Sequence, residues 1–91
     1  MKIARKFTIS GEVQGVGYRF FAQRAAARHQ VTGYVRNLKD GRVEAWVEGD
    51  AASVEAFKHD LATGPLYASV ANIEELNLDP SNAYSAFRIE R

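Results

Sequence analysis

The sequence contains no cysteine, and it has only two prolines and two histidines. Without cysteine the chain can form no disulfide, no thiolate nucleophile and no cysteine-based metal site. His29 and His59 are thirty positions apart and do not show the short spacing of a local metal-binding motif. No stretch approaches the roughly 18 apolar residues of a membrane span, and no signal-peptide-like run follows the N-terminus. We therefore expect a cytoplasmic protein without a bound metal or a membrane partner.

Charge of one sign is also lacking, because 12 Lys and Arg face 11 Asp and Glu for a net charge of +1. Such a balance excludes the strong basic field of a general nucleic-acid-binding protein. Hydrophobic residues make up 46% and charged residues 25% of the chain, which is typical of a globular protein. We expect one domain over residues 1–91 with a modest core, acting as a monomer.

The first half of the chain begins with a strand pattern and continues with a helix pattern. Apolar and polar residues alternate over residues 3–13, which predicts a strand with one buried face. The segment Gln14-Gly15-Val16-Gly17 interrupts this alternation. Residues 20–29 are rich in alanine and predict a helix.

A hairpin follows, with strands over residues 33–39 and 42–48 joined by a tight turn at Asp40-Gly41. In the second strand one face is apolar and the other carries Glu44, Trp46 and Glu48. We expect Trp46 to cover the less protected side of the sheet.

The last third predicts one more helix and two more strands. Asp50 is a good N-cap, and Gly64-Pro65 is a suitable end for the helix. Its apolar stripe is Val54, Phe57 and Leu61. Strands are predicted over residues 69–78 and 84–89. The order β-α-β-β-α-β with a short added strand predicts a ferredoxin-like α+β sandwich, a mostly antiparallel sheet covered on one face by both helices.

The segment between the first strand and the first helix is a candidate anion site. Gly15 and Gly17 permit backbone angles that let consecutive N–H groups point into one concavity. At the start of a helix these donors add to the positive end of the helix dipole, and Arg19 offers a planar fork for two phosphate oxygens. The segment lacks the Gly-Lys-Ser/Thr ending of a nucleotide-binding P-loop. From spacing alone, an ordinary glycine-containing loop with a solvated Arg19 is an equal alternative.

The run over residues 9–19 resembles the signature of the acylphosphatase family, in which a strand leads through Val-Gln-Gly-Val to a loop closed by arginine. A second family signature resembles Gly33-Tyr34-Val35-Arg36-Asn37 and the glycines that follow it. The resemblance extends over nearly the whole chain. It implies hydrolysis of acyl phosphates, which are mixed anhydrides of a carboxylic acid and phosphoric acid, with neither a metal nor a cofactor.

The resemblance also implies roles for individual residues. Arg19 would bind the substrate phosphate together with loop amides, and Asn37 would orient the attacking water. The amides would be those of Gly15, Val16, Gly17, Tyr18 and Arg19. Arg24, Arg28 and Arg36 are interpreted as solvated charges, and the two histidines receive no role.

Three positions depart from the family pattern. Tyr18 stands where phenylalanine is common, so its hydroxyl needs a partner. His29-Gln30 stands where a glycine often ends the helix, which weakens the C-cap by about 1 kcal/mol or less. Glu12 replaces a basic or neutral residue, and alternation places its side chain away from the core.

Two other functions fit parts of the pattern. A non-catalytic module of the same fold would bind a small anion at the same loop. An RNA-binding sheet would need exposed aromatic residues on both central strands, and the first strand offers only Lys6, Thr8, Ser10 and Glu12 on its outward side.

Overall fold

The computed structural model describes all 91 residues as five strands and two helices. Their order is the predicted one, although several ends differ from the sequence-based ranges. The elements are β1 (Lys2–Glu12), α1 (Tyr18–His29), β2 (Thr32–Asn37), β3 (Val43–Asp50), α2 (Ala51–Thr63), β4 (Ser69–Leu78) and β5 (Phe87–Glu90).

The strands form one sheet in the order β4-β1-β3-β2-β5. All neighbours are antiparallel except β2 and β5, which run parallel. Both helices pack against one face, and 16 buried residues form the core between helices and sheet. The predicted ferredoxin-like α+β sandwich is therefore confirmed.

Helix α1 begins at Tyr18, two residues before the predicted start. Gly17 is its N-cap, with a left-handed φ of 77°, and no side chain caps the first turn. The sequence signal was weak because this cap uses backbone conformation rather than a Ser, Thr, Asp or Asn side chain. The early start buries Tyr18, which is only 1% exposed.

At the other end of α1, Gln30 takes the left-handed conformation that glycine usually supplies, with φ 58°. The N–H groups of Gln30 and Val31 bond the carbonyls of Ala27 and Ala26 and close the helix. Gln30 thus adopts a backbone conformation that glycine would adopt without strain. The strain costs about 1 kcal/mol.

Helix α2 begins and ends as predicted. The carboxylate of Asp50 accepts a hydrogen bond of 3.3 Å from the N–H of Ala52, and Gly64 follows the last helical residue. The apolar stripe of Val54, Phe57 and Leu61 is buried against the sheet. Neither helix is long and apolar enough to cross a membrane.

The sheet face opposite the helices is more buried than alternation indicates. Glu44 and Glu48 are 7% and 2% exposed, although alternation predicts that both lie on the outward side of their strand. Glu48 accepts hydrogen bonds from the backbone N–H groups of Ser81 and Asn82, because the segment between β4 and β5 passes over it. Trp46 packs against Tyr84 on the same face, as expected of a covering residue.

Candidate active site

The loop between β1 and α1 turns at two glycines in the left-handed conformation. Gly15 has φ 73° and Gly17 has φ 77°. A Cβ atom added at either position would meet nothing within 4 Å, so crowding does not explain the glycines. Backbone strain does, because a side-chain-bearing residue in this conformation costs roughly 1–2 kcal/mol.

The backbone N–H groups of this loop have no acceptor within the protein. No hydrogen bond uses the N–H of Gly15, Val16, Gly17, Tyr18 or Arg19 as its donor. The first α-helical bond runs from the N–H of Phe21 to the carbonyl of Gly17. No acidic residue lies in the first helical turn. The loop and helix start therefore present several donors to an anion, with the positive end of the helix dipole behind them.

Arg19 brings a full positive charge to these donors. Its Nη1 atom donates a hydrogen bond of 3.2 Å to the carbonyl oxygen of Glu90 at the end of β5. No carboxylate lies within ion-pairing distance of the guanidinium of Arg19. By contrast, the guanidinium groups of Arg28 and Arg36 each pair with a carboxylate. The contact with Glu90 holds the side chain of Arg19 in place while its charge stays available for a bound anion.

Asn37 is the last residue of β2. Strands β1 and β2 both run antiparallel to β3, so Asn37 and the loop after β1 lie at the same end of the sheet. The backbone of Asn37 pairs with Val43 of β3, and Val43 also pairs with Ile9 of β1. The three strands thus bring the asparagine toward the loop that follows β1. The side-chain amide of Asn37 makes no hydrogen bond within the protein, so its donors and acceptor are free for a ligand or water.

A cavity of about 160 Å³ joins these groups. Arg19 and Asn37 both line it, together with Gly15, Gly17 and Tyr18. Val16 does not line it, because its side chain packs against the core. The cavity is bordered by Val13, Gly15, Gly17, Tyr18, Arg19, Phe20 and Asn37.

Sequence reasoning missed two of the lining residues. Val13 ends the alternation of the first strand and is buried, whereas Phe20 is 67% exposed at the cavity wall. Phe20 directly follows Arg19 in the chain, and this adjacency was the available signal.

The remaining charged candidates lie away from this cavity. His29 and Arg28 both contact the carboxylate of Asp60 at 2.8 Å and link α1 to α2. Burial opposes the charge on Asp60, but these hydrogen bonds outweigh it and lower the pKa of the carboxyl group. Arg36 is paired with Glu44. No group of three His, Cys, Asp or Glu side chains is arranged to hold a metal ion.

A larger depression of about 400 Å³ lies on the opposite face of the sheet. Aromatic residues dominate its wall and no Lys or Arg lines it, so it offers no charge to a phosphate. Its lining residues are Tyr34, Trp46, Leu78, Asp79, Ser81 and Tyr84.

Comparison with known proteins assigns the chain to a family. The sequence model of the family described as Acylphosphatase matches residues 5–89. The chain belongs to the acylphosphatase family. An acylphosphatase of Solibacter usitatus is 45% identical over 86 residues, which cover 94% of this chain and 88% of that protein. An acylphosphatase of Actinobacillus succinogenes is 43% identical over 98% of this chain and 99% of its own length.

A solved structure agrees with this assignment. The crystal structure of acylphosphatase from Bacillus subtilis matches with a TM-score of 0.94 and 29% identity, covering 98% of this chain and 99% of that one. The chain is accordingly an acylphosphatase-family enzyme that hydrolyses acyl phosphates to a carboxylate and inorganic phosphate. The family, fold and reaction predicted from the sequence are confirmed.

Proposed function

We propose that the enzyme holds the phosphoryl group of its substrate with the loop over residues 14–19 and Arg19, while Asn37 orients the attacking water. One observation carries the proposal: Arg19, Asn37 and the two left-handed glycines line a single small cavity. These groups come from three separate parts of the chain, which are the loop after β1, helix α1 and strand β2. The donors of the loop therefore face the residue that would place the water.

The loop amides and Arg19 supply positive charge on one side of the phosphate. Hydrogen bonds to a charged oxygen contribute about 1.5–3 kcal/mol each, and the guanidinium can engage two oxygens at once. The charge on the equatorial oxygens changes in the transition state, where fixed donors stabilise it without reorganising. This arrangement does not require a metal ion.

Asn37 suits the placing of water because a neutral amide both accepts and donates. Its Oδ1 atom can accept a hydrogen bond from the water while its Nδ2 group donates to a neighbouring oxygen. The water forms a bond to phosphorus, and the bond between phosphorus and the bridging oxygen breaks. The electron pair leaves with the carboxylate, whose conjugate acid has a pKa near 4, so no general acid is needed. The proton of the water passes to phosphate or solvent.

The acyl group extends out of the cavity in this proposal. About 160 Å³ leaves space for a phosphoryl group and a water and for little more. Phe20 is the exposed aromatic residue at the wall, where it can contact an acyl chain or ring. We therefore expect the enzyme to accept a broad range of acyl groups, because no enclosed pocket selects one of them.

We also propose a cytoplasmic monomer with residues 1–91 as one domain, without a nucleic-acid or membrane partner. The continuous core of 16 buried residues supports one domain. The net charge of +1 supports the absence of a polyanionic partner.

Hydrolysis of benzoyl phosphate in the presence of a chelator tests this function. We expect release of phosphate well above the buffer rate, with inorganic phosphate as a competitive inhibitor. Binding of phosphate without turnover would instead support the alternative of a non-catalytic anion-binding module. Activity that the chelator abolishes would contradict the metal-free mechanism.

A further inference from the structure

Gln14 joins the phosphate-binding loop to the turn that follows Asn37. Its Nε2 atom donates hydrogen bonds to the carbonyl oxygens of Leu38 at 2.8 Å and Arg42 at 2.9 Å. Leu38 directly follows Asn37 in the chain, and Arg42 lies on the returning side of the same turn. Both N–H groups of the amide therefore donate to carbonyl oxygens of the same turn.

These contacts connect two segments that the sheet itself leaves unconnected. β3 separates β1 from β2, and the pairing of β1 with β3 ends at Ile9 opposite Val43. Beyond that point β1 pairs with β4 alone. Every hydrogen bond between the loop over residues 13–17 and the turn between β2 and β3 comes from Gln14.

The two carbonyl groups are well suited to hold the amide in one place. The Leu38 oxygen also accepts from the N–H of Gly41 at 3.3 Å, and the Arg42 oxygen accepts from the N–H of Leu38 at 2.8 Å. Each oxygen thus uses two lone pairs, one within the turn and one for Gln14. The turn fixes the acceptors, and the acceptors fix the side chain.

We propose that Gln14 is a positioning residue that sets the distance between the phosphate held by the loop and the water held by Asn37. Its side chain does not line the cavity, so it acts through the turn rather than on the substrate. Misplacing reacting groups by about 1 Å can lower a rate by about 100-fold. The inference rests on the proposed role of Asn37.

Gln14→Met tests the inference, because methionine keeps the length of the side chain and removes both donors. We expect kcat for benzoyl phosphate to fall by about 10- to 100-fold. The inhibition constant of inorganic phosphate should change by less than about threefold, since the loop amides and Arg19 remain. Gln23→Met is the matched control: that glutamine also donates to a carbonyl, of Phe87 at 3.4 Å, but lies outside the cavity. Its kcat should stay within about twofold of the unaltered enzyme.

A double-mutant cycle distinguishes positioning from a general structural effect. If Gln14 acts through Asn37, Gln14→Met should lower kcat by less than about twofold in an Asn37→Ala background. An equal fall in both backgrounds would overturn the inference, as would an inhibition constant that rises as much as kcat falls. Asn37→Ala with unaltered kcat would instead overturn the proposed role of Asn37.

Gln14→Glu provides a second variant of nearly the same shape. Its carboxylate would face the two carbonyl oxygens, so we expect a larger loss of kcat than in Gln14→Met. Circular dichroism checks that each variant is folded. Unaltered kcat in a folded Gln14→Glu or Gln14→Met protein would overturn the inference.

Discussion

The hydroxyl of Tyr18 donates a hydrogen bond of 2.6 Å to the carbonyl oxygen of Leu61 and joins the start of α1 to the end of α2. Four residues after Leu61 stands Pro65, which has no N–H to complete the helical pattern. Tyr18 therefore supplies the donor that proline lacks. Burial raises the pKa of the Tyr18 hydroxyl, so the group stays a donor at neutral pH.

Tyr18→Phe should destabilise the protein without removing its activity. The substitution leaves the buried carbonyl of Leu61 without a donor, which costs about 1–3 kcal/mol. Urea denaturation of both proteins measures the difference in the free energy of unfolding, and kcat should stay within about threefold. Equal stability would show that water or another donor replaces the hydroxyl.

Arg19→Lys should keep the fold and lose most of the activity. An ammonium group keeps the charge but cannot bond two phosphate oxygens in one plane. We expect kcat/KM for benzoyl phosphate to fall by about 100-fold or more. Arg24→Lys is the control, because Arg24 is exposed and makes no ion pair. Similar losses in both variants would refute the specific role of Arg19.

Asn37→Ala should lower kcat by about 100-fold with phosphate binding largely retained. The reason is that the amide acts on the water rather than on the ground-state phosphate. Steady-state kinetics with phosphate as inhibitor separates the two effects. Asn77→Ala, at an exposed position of β4, is the matched control. Loss of phosphate binding with kcat intact would assign Asn37 to holding the substrate.

The buried Glu48 predicts a pH-dependent contribution to stability. Burial opposes its charge, but backbone N–H groups of Ser81 and Asn82 and the ammonium of Lys2 outweigh this and lower the pKa of Glu48. A lowered pKa in the folded state stabilises the protein above the ordinary value near 4.5, and this stabilisation is lost as the pH falls further.

Glu48→Gln should therefore be less stable than the unaltered protein near neutral pH, and the difference should shrink as the pH falls from about 6 to about 3. Urea denaturation across this range provides the measurement. The exposed Glu55 offers a control, since Glu55→Gln should show no comparable difference. A gap that is constant with pH would mean that the charge of Glu48 does not stabilise the fold.

The sequence was sufficient for the element order, and its local pattern indicated one half of the candidate site. Gly15, Gly17 and the helix that follows indicate an anion site, because their effect is local to a few consecutive residues. Asn37 could be placed only through resemblance to a family. Its position beside the loop depends on β3 separating β1 and β2 with Val43 paired to both, which no local pattern reveals.

The burial of Glu48 and the contacts of Gln14 were not predictable from the sequence, for the same reason. Alternation placed Glu44 and Glu48 outward correctly, but the segment over residues 79–84 that buries Glu48 approaches from a distant part of the chain. The contacts of Gln14 with the β2–β3 turn were equally invisible. Long-range side-chain contacts of this kind leave no periodic signal in the sequence.

The unbonded amides beside Arg19 place function and stability in opposition. Several N–H groups without an acceptor and a cation lie around one cavity. The repulsion between their positive charges weakens the folded state when no anion is bound. Bound phosphate then acts as part of the fold, adding about 2.7 kcal/mol when it is present at 100 times its dissociation constant. An uncharged residue in place of Arg19 should therefore stabilise the ligand-free protein and weaken this response to phosphate. Selection for faster hydrolysis would act against thermal stability at this loop.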